Sequence, residues 1–143
     1  MLLAPSENAL EFVKKAEECI SSCPQIELQT EHVIHGGMYA RTIRLNANEV
    51  ISGAHYIVPS LVIIEGDCLV SSGDGWIELS GFHVIPASTG RKQLFVARQE
   101  TAITMLFRTD AKTVEDAERE FTDEHERLMS RNSQNDIVTI TGE

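Results

Sequence analysis

Cysteine is sparse in this 143-residue chain: Cys19, Cys23 and Cys68 are the whole complement, and they form no Cys-x-x-Cys pair. Three scattered thiols exclude a disulfide framework and argue against a thiolate zinc site. Cys19 and Cys23, four residues apart, share one face of a predicted helix and read as packing residues, while Cys68 falls in a predicted strand as core. Long apolar runs are missing too. None approaches the ~18–20 residues of a membrane-spanning helix, and the stretch from Met1 to Asn8 lacks the basic segment of a secretory signal. The expected location is therefore the cytoplasm, with no membrane partner. Positive charge is also short: 12 Lys and Arg stand against 22 Asp and Glu, a formal net charge of −10. That balance disfavours nucleic acid as a partner. There is no Gly-x-Ser-x-Gly elbow for a nucleophile, no nucleotide P-loop spacing and no internal repeat.

What is present has a clear order. The length suits one domain at ~100–200 residues per domain, expected over residues 1–131, with a flexible tail over 132–143. Ala9, Val13, Ala16 and Ile20 recur at helical spacing behind Pro5 and Ser6, and Pro24 ends the run, so a helix is predicted over 6–22. From 31 to 108 the chain changes to short β-branched and aromatic runs punctuated by Gly, Asn, Asp and Pro, the habit of a β-barrel. Strands are predicted near 31–35, 38–45, 49–58, 61–65, 67–72, 75–80, 82–86, 92–98 and 101–108. Alternation in 38–45 points Tyr39, Arg41, Ile43 and Leu45 to one face. A hairpin loop at 71–75 precedes Trp76 on the return strand. Thr113 with Asp116 resembles a capping box, and Val114, Ala117, Phe121 and Leu128 mark the stripe of a second helix over 113–130. After the polar run 132–136, Ile137 to Ile140 can add a short strand to a neighbour.

Charge is distributed unevenly. Residues 38–108 carry six basic and six acidic side chains, whereas 109–143 carry four and ten. A neutral β segment holding Arg41, Arg91 and Lys92 can accept an anionic ligand inside an otherwise acidic protein. The loop from Pro86 to Lys92 is the best candidate for such contact, because Gly90 lets the backbone approach, Ser88 and Thr89 offer hydroxyls, and Arg91 can bond bidentately. Tyr39, Tyr56, Trp76 and Phe82 are candidate stacking walls, although aromatics in strands more often form core. Acids chosen from Glu65, Asp67, Asp74 and Glu78 have a turn explanation simpler than paired-carboxylate chemistry. The second helix presents Glu115, Asp116, Glu118, Glu120, Asp123, Glu124 and Glu126, read as a solvated face or a surface for a basic protein.

Several strings carry a resemblance: Gly37-Met38-Tyr39-Ala40-Arg41, Ile51-Ser52-Gly53-Ala54, Ile64-Glu65-Gly66-Asp67, Gly81-Phe82-His83-Val84-Ile85-Pro86 and Gly90-Arg91-Lys92. In this order, over about half the chain, they resemble small cupin-like proteins encoded by tailed bacteriophages and prophages. The resemblance implies a jelly-roll barrel and pairing as a homodimer through the sheets. Cupin enzymes hold a metal with several His and a carboxylate, but the positions where relatives carry those ligands are matched here by Tyr56, Ser60 and, in the second motif, a residue near Gln93. None of these supplies an imidazole or an anionic oxygen, so no metal and no cofactor is expected. Of the histidines, His32 and His35 should point to opposite faces of a strand, and only His55 with His83 and Glu65 suggests an alternative metal site.

These readings give a mainly β, cupin-like jelly-roll barrel flanked by an N-terminal and a C-terminal α-helix. The leading function is noncatalytic, metal-free binding of a small molecule, anions included, such as a host metabolite or nucleotide signal. Tyr39, Arg41, Tyr56, Trp76, Arg91, Lys92 and Gln93 are the candidate ligand-binding residues. The alternatives are an assembly factor that engages a host or phage protein through the acidic helix and tail, and a metal-dependent cupin enzyme with atypical ligands.

Overall fold

A computed structural model describes residues 1–23, 27–128 and 136–143. Helix α1 (Glu7–Ser21) begins where Ser6 Oγ accepts from the Ala9 amide at 3.2 Å. The strands follow: β1 (Thr30–His35), β2 (Met38–Leu45), β3 (Val50–Ser52), β4 (Ser60–Ser72), β5 (Gly75–Ala87), β6 (Leu94–Ala97) and β7 (Thr101–Arg108). Helix α2 (Val114–Phe121) is capped by Thr113, whose hydroxyl accepts from the Asp116 amide at 3.2 Å. A single 3₁₀ turn (His125–Arg127) and strand β8 (Ile137–Ile140) complete the elements.

The strands form one eight-stranded sheet ordered β3-β6-β4-β7-β2-β1-β8, with β5 paired to β4. The sheet curls into a half-barrel, and the long β4–β5 hairpin shows why. Thirteen residues of straight strand span roughly 40 Å, yet residues 2 and 3 reach both ends of this hairpin. The Leu2 amide donates to Pro86 O at 3.0 Å, and Leu3 N donates to Ser72 Oγ at 2.9 Å. The hairpin is therefore folded back on itself. Its corner lies at Gly66 and Gly81, which face each other in the register and hold φ of +146° and +91°. Before the corner β4 pairs with β7, and after it with β6.

Sequence and structure differ in informative ways. The corner glycines do not interrupt the strands, so the predicted pairs 61–65 with 67–72 and 75–80 with 82–86 are each one continuous strand. The predicted strand 49–58 stops at Ser52, and Tyr56 instead makes isolated bridges to Arg91 and Thr122. The second helix ends at Phe121, well short of 130, where Ile57 N takes the Phe121 carbonyl at 2.8 Å; residues 129–130 lie outside the described ones. The tail is not loose throughout. Residues 137–140 pair in parallel with β1, while 132–135 lie outside the described residues.

Two apolar clusters result. One fills the barrel, from Leu2, Leu45, Ile64, Val70 and Phe95 among others. The second lies under α2 and is built on Tyr39, Phe107, Ala117 and Phe121. Cys68 is buried in the first, whereas Cys19 and Cys23 are exposed instead of packed, because α1 buries only Val13.

The second cluster carries a polar thread that ties β8 to the barrel. Asp136 Oδ2 lies 3.0 Å from His32 Nε2, and His32 Nδ1 lies 2.6 Å from the Tyr39 hydroxyl. As the spacing predicts, His32 is buried and His35 exposed. Burial lowers the His32 pKa below its usual 6.5 and outweighs Asp136 and Glu118, which favour the imidazolium, while Arg41 opposes it. The folded state thus binds fewer protons than the unfolded chain once the pH drops below 6.5, and stability is lost from there downward. The melting temperature should fall on going from pH 7 to pH 5, with a shallower slope in His32→Gln. Equal slopes would show that His32 does not titrate on unfolding.

Candidate functional site

The concave side of the half-barrel encloses a cavity of about 590 Å³. Its walls are mainly aliphatic, from Ile43, Ile51, Val62, Phe95, Ile103 and Met105, and α1 contributes Ile20 and Glu17 at the rim. Five of the seven candidate residues, Arg41, Tyr56, Arg91, Lys92 and Gln93, line it together. Alternation along β2 aims Arg41 and Ile43 inward, as the pattern predicts. Tyr39 shares that face but is wholly buried behind the wall, where desolvation pushes its phenol pKa up to about 12. Trp76 and Phe82 lie outside the cavity. They are 49% and 66% exposed on the convex side, because even-numbered residues of β5 point outward.

The three cations are held differently. Arg41 Nη1 donates to Glu118 Oε2 at 2.9 Å, its Cζ lies 5.6 Å from the Phe121 ring centroid, and its side chain keeps 10% exposure. Lys92 Nζ bonds Glu17 at 2.9 Å, Glu124 at 3.0 Å and the Gly53 carbonyl at 3.2 Å, so two carboxylates surround one ammonium. Arg91 has 0% exposure, and among the described residues its guanidinium meets neutral partners. It donates to Ser88 O at 2.7 Å, Ser60 Oγ at 2.8 Å and Gln93 Oε1 at 3.3 Å, and its Cζ lies 4.5 Å from the Tyr56 ring centroid. Among the described residues no carboxylate pairs with it. Burial lowers its pKa.

Sequence reasoning missed the partners. The sequence places Glu118 on a face that is either solvated or open to a basic protein, yet it is buried against Arg41; Glu124 reaches Lys92, and Glu120 accepts from the Thr109 hydroxyl. The signal for Glu118 was in the sequence, since 114, 117, 118 and 121 make one helical stripe. Nothing local marked Glu17, which is brought to Lys92 by the docking of α1.

The alternative metal set does not converge. His55 sits 3.4 Å from Asp123, His83 bonds the Ser80 carbonyl at 2.8 Å, and Glu65 is exposed on the convex face. Among the described residues no three His, Cys, Asp or Glu side chains are grouped to hold an ion.

Among the solved structures that share this architecture are two cupin proteins. A cupin superfamily protein from Desulfitobacterium hafniense is 15% identical with a TM-score of 0.50, the match covering 77% of this chain and 99% of that one. A cupin-2 domain protein from Rhodospirillum rubrum is 10% identical with a TM-score of 0.52, covering 64% and 66%. No protein-family sequence model and no curated protein matches the chain. The fold is that of the cupins, a mainly β half-barrel with two helices, and at these identities the likeness extends to the fold alone. No helix among the described residues is long and apolar enough to cross a membrane.

Cupin enzymes carry a metal, and the residues present do not fit one. At or near the positions that the resemblance matches to metal ligands, Ser60 and Gln93 accept hydrogen bonds from Arg91, and Tyr56 turns its ring to the same guanidinium. A divalent ion beside that fixed charge would be repelled and would find no anionic or imidazole ligand there.

Proposed function

We propose that the cavity binds a small molecule with an apolar body and an anionic end, and does so without catalysis. The observation that carries this reading is the cavity itself: its volume lies in the ~300–1,000 Å³ range of small-molecule sites, and a mainly aliphatic wall surrounds a few convergent polar groups. Polarity supports the orientation. Lys92 already bonds Glu17 and Glu124, whereas Arg91, behind Tyr56, pairs with no carboxylate among the described residues. An anion therefore gains most near Tyr56 and Arg41, with its apolar part toward Ile43, Val62 and Ile103. The phage-like strings set such a pocket in the context of capturing a host metabolite. Self-association through the convex face fits the same reading, because Leu61, Phe82 and Val84 are exposed side by side on β4 and β5.

Benzoate, phenyl phosphate and benzamide, similar in size and different in charge, test the pocket by thermal denaturation. At ten times its dissociation constant a bound anion should raise the melting temperature by about 3 °C or more. Benzamide should give less, and Ile43→Trp, which fills the cavity, should abolish the effect. No shift from any of the three, or shifts that Ile43→Trp leaves intact, would contradict the proposal.

A further inference from the structure

Three side chains from separate segments close on the guanidinium of Arg91. Ser60 opens β4, Gln93 precedes β6, and Tyr56 sits in the loop after β3. They receive Nη2, Nε and the cationic face respectively, and the Ser88 carbonyl receives Nη1. Tyr56 and Ser60 also stand where the family resemblance places metal ligands, and Gln93 lies near the ligand position of the second motif. The fold itself brings these positions together; what is specific is that all three side chains turn to one guanidinium.

The chemistry of the replacements suits a guanidinium. Its fork of N–H donors needs neutral or anionic oxygen acceptors and tolerates an aromatic face. A hydroxyl, an amide oxygen and a phenol ring meet those needs, and the Gln93 amide is held in place by donating to Ser71 O at 2.7 Å. A buried cation without a carboxylate is costly, so it persists only where neutral acceptors are arranged around it.

We infer that the guanidinium of Arg91 takes the place of the metal ion in this barrel, as a cation built into the chain around which the former ligand positions close. The barrel then holds a permanent positive centre that no chelator removes. This inference stands apart from ligand capture, since it concerns what occupies the centre whether or not the cavity is filled.

Chemical rescue tests it. Arg91→Ala should melt roughly 5–10 °C below the wild type. Millimolar methylguanidinium should restore at least half of that loss, methylammonium should not, and the wild type should respond to neither. A folded Arg91→Ala protein that methylguanidinium leaves unchanged would overturn the inference. Should Arg91→Ala fail to fold, the variant combining Tyr56→His, Ser60→His, Gln93→His and Arg91→Ala decides the matter. It should fold with cobalt(II) and bind one equivalent with a visible absorption band, and absence of bound cobalt would overturn the assignment.

Discussion

Gly66→Ala should unfold the protein or come close to it, at a cost above about 4 kcal/mol. The residue holds φ of +146°, which only glycine adopts readily, and a Cβ there would stand 2.6 Å from the Glu100 carbonyl oxygen and 2.6 Å from Thr101 Cα. Both are backbone atoms, one at the end of the β6–β7 connection and one at the first residue of β7, so no side-chain rotation relieves the contact. The β4–β5 corner would have to open, and with it the junction at which Leu2 and Leu3 hold the two ends of the hairpin together. Gly81→Ala, directly across the hairpin, supplies the control. Its φ of +91° carries a strain of about 1–3 kcal/mol, but no atom lies within 4 Å of the added Cβ. Urea denaturation of both variants should rank them in that order. Equal stabilities would mean that close approach at the corner does not limit the fold.

Phe121→Ala should destabilise by about 3–5 kcal/mol, lowering the melting temperature by roughly 10–20 °C. Phe121 is completely buried at the end of α2. Its ring lies 5.5 Å from Tyr56, 6.0 Å from Phe107 and 6.2 Å from Tyr39, and the Arg41 guanidinium approaches it as well. Truncation would therefore remove a shared wall from the aromatic cluster and loosen the Arg41–Glu118 pair. Phe121→Leu, which keeps most of the volume, should recover a large part of the loss. A wild-type melting curve for Phe121→Ala would show that α2 is not docked as described.

The parts of the fold legible in the sequence were those set by local chemistry. Ser6 and Thr113 cap helices because a hydroxyl three residues ahead of an amide is a short-range signal. Strand β2 was readable because period-two alternation is intrinsic to an extended chain. The corner at Gly66 and Gly81 was read as two strand ends, since a glycine's φ depends on what packs beside it. Arg91 and Lys92 are legible as charged candidates, and both line the cavity, but their partners are not legible. Ser60 is 31 residues from Arg91, and Glu118 is 77 from Arg41. Whether such a cation faces a ligand or a neighbour in its own wall depends on long-range pairing, which no local pattern contains. Trp76 shows the converse: its side chain follows the parity of β5, and a register set by the corner sends it outward.

Native mass spectrometry of the protein purified gently from cells tests capture most directly. The wild type should carry one small molecule per chain, released intact on denaturation, and Ile43→Trp should carry none. Identical bare masses for the wild type and the filled-cavity variant would contradict the account.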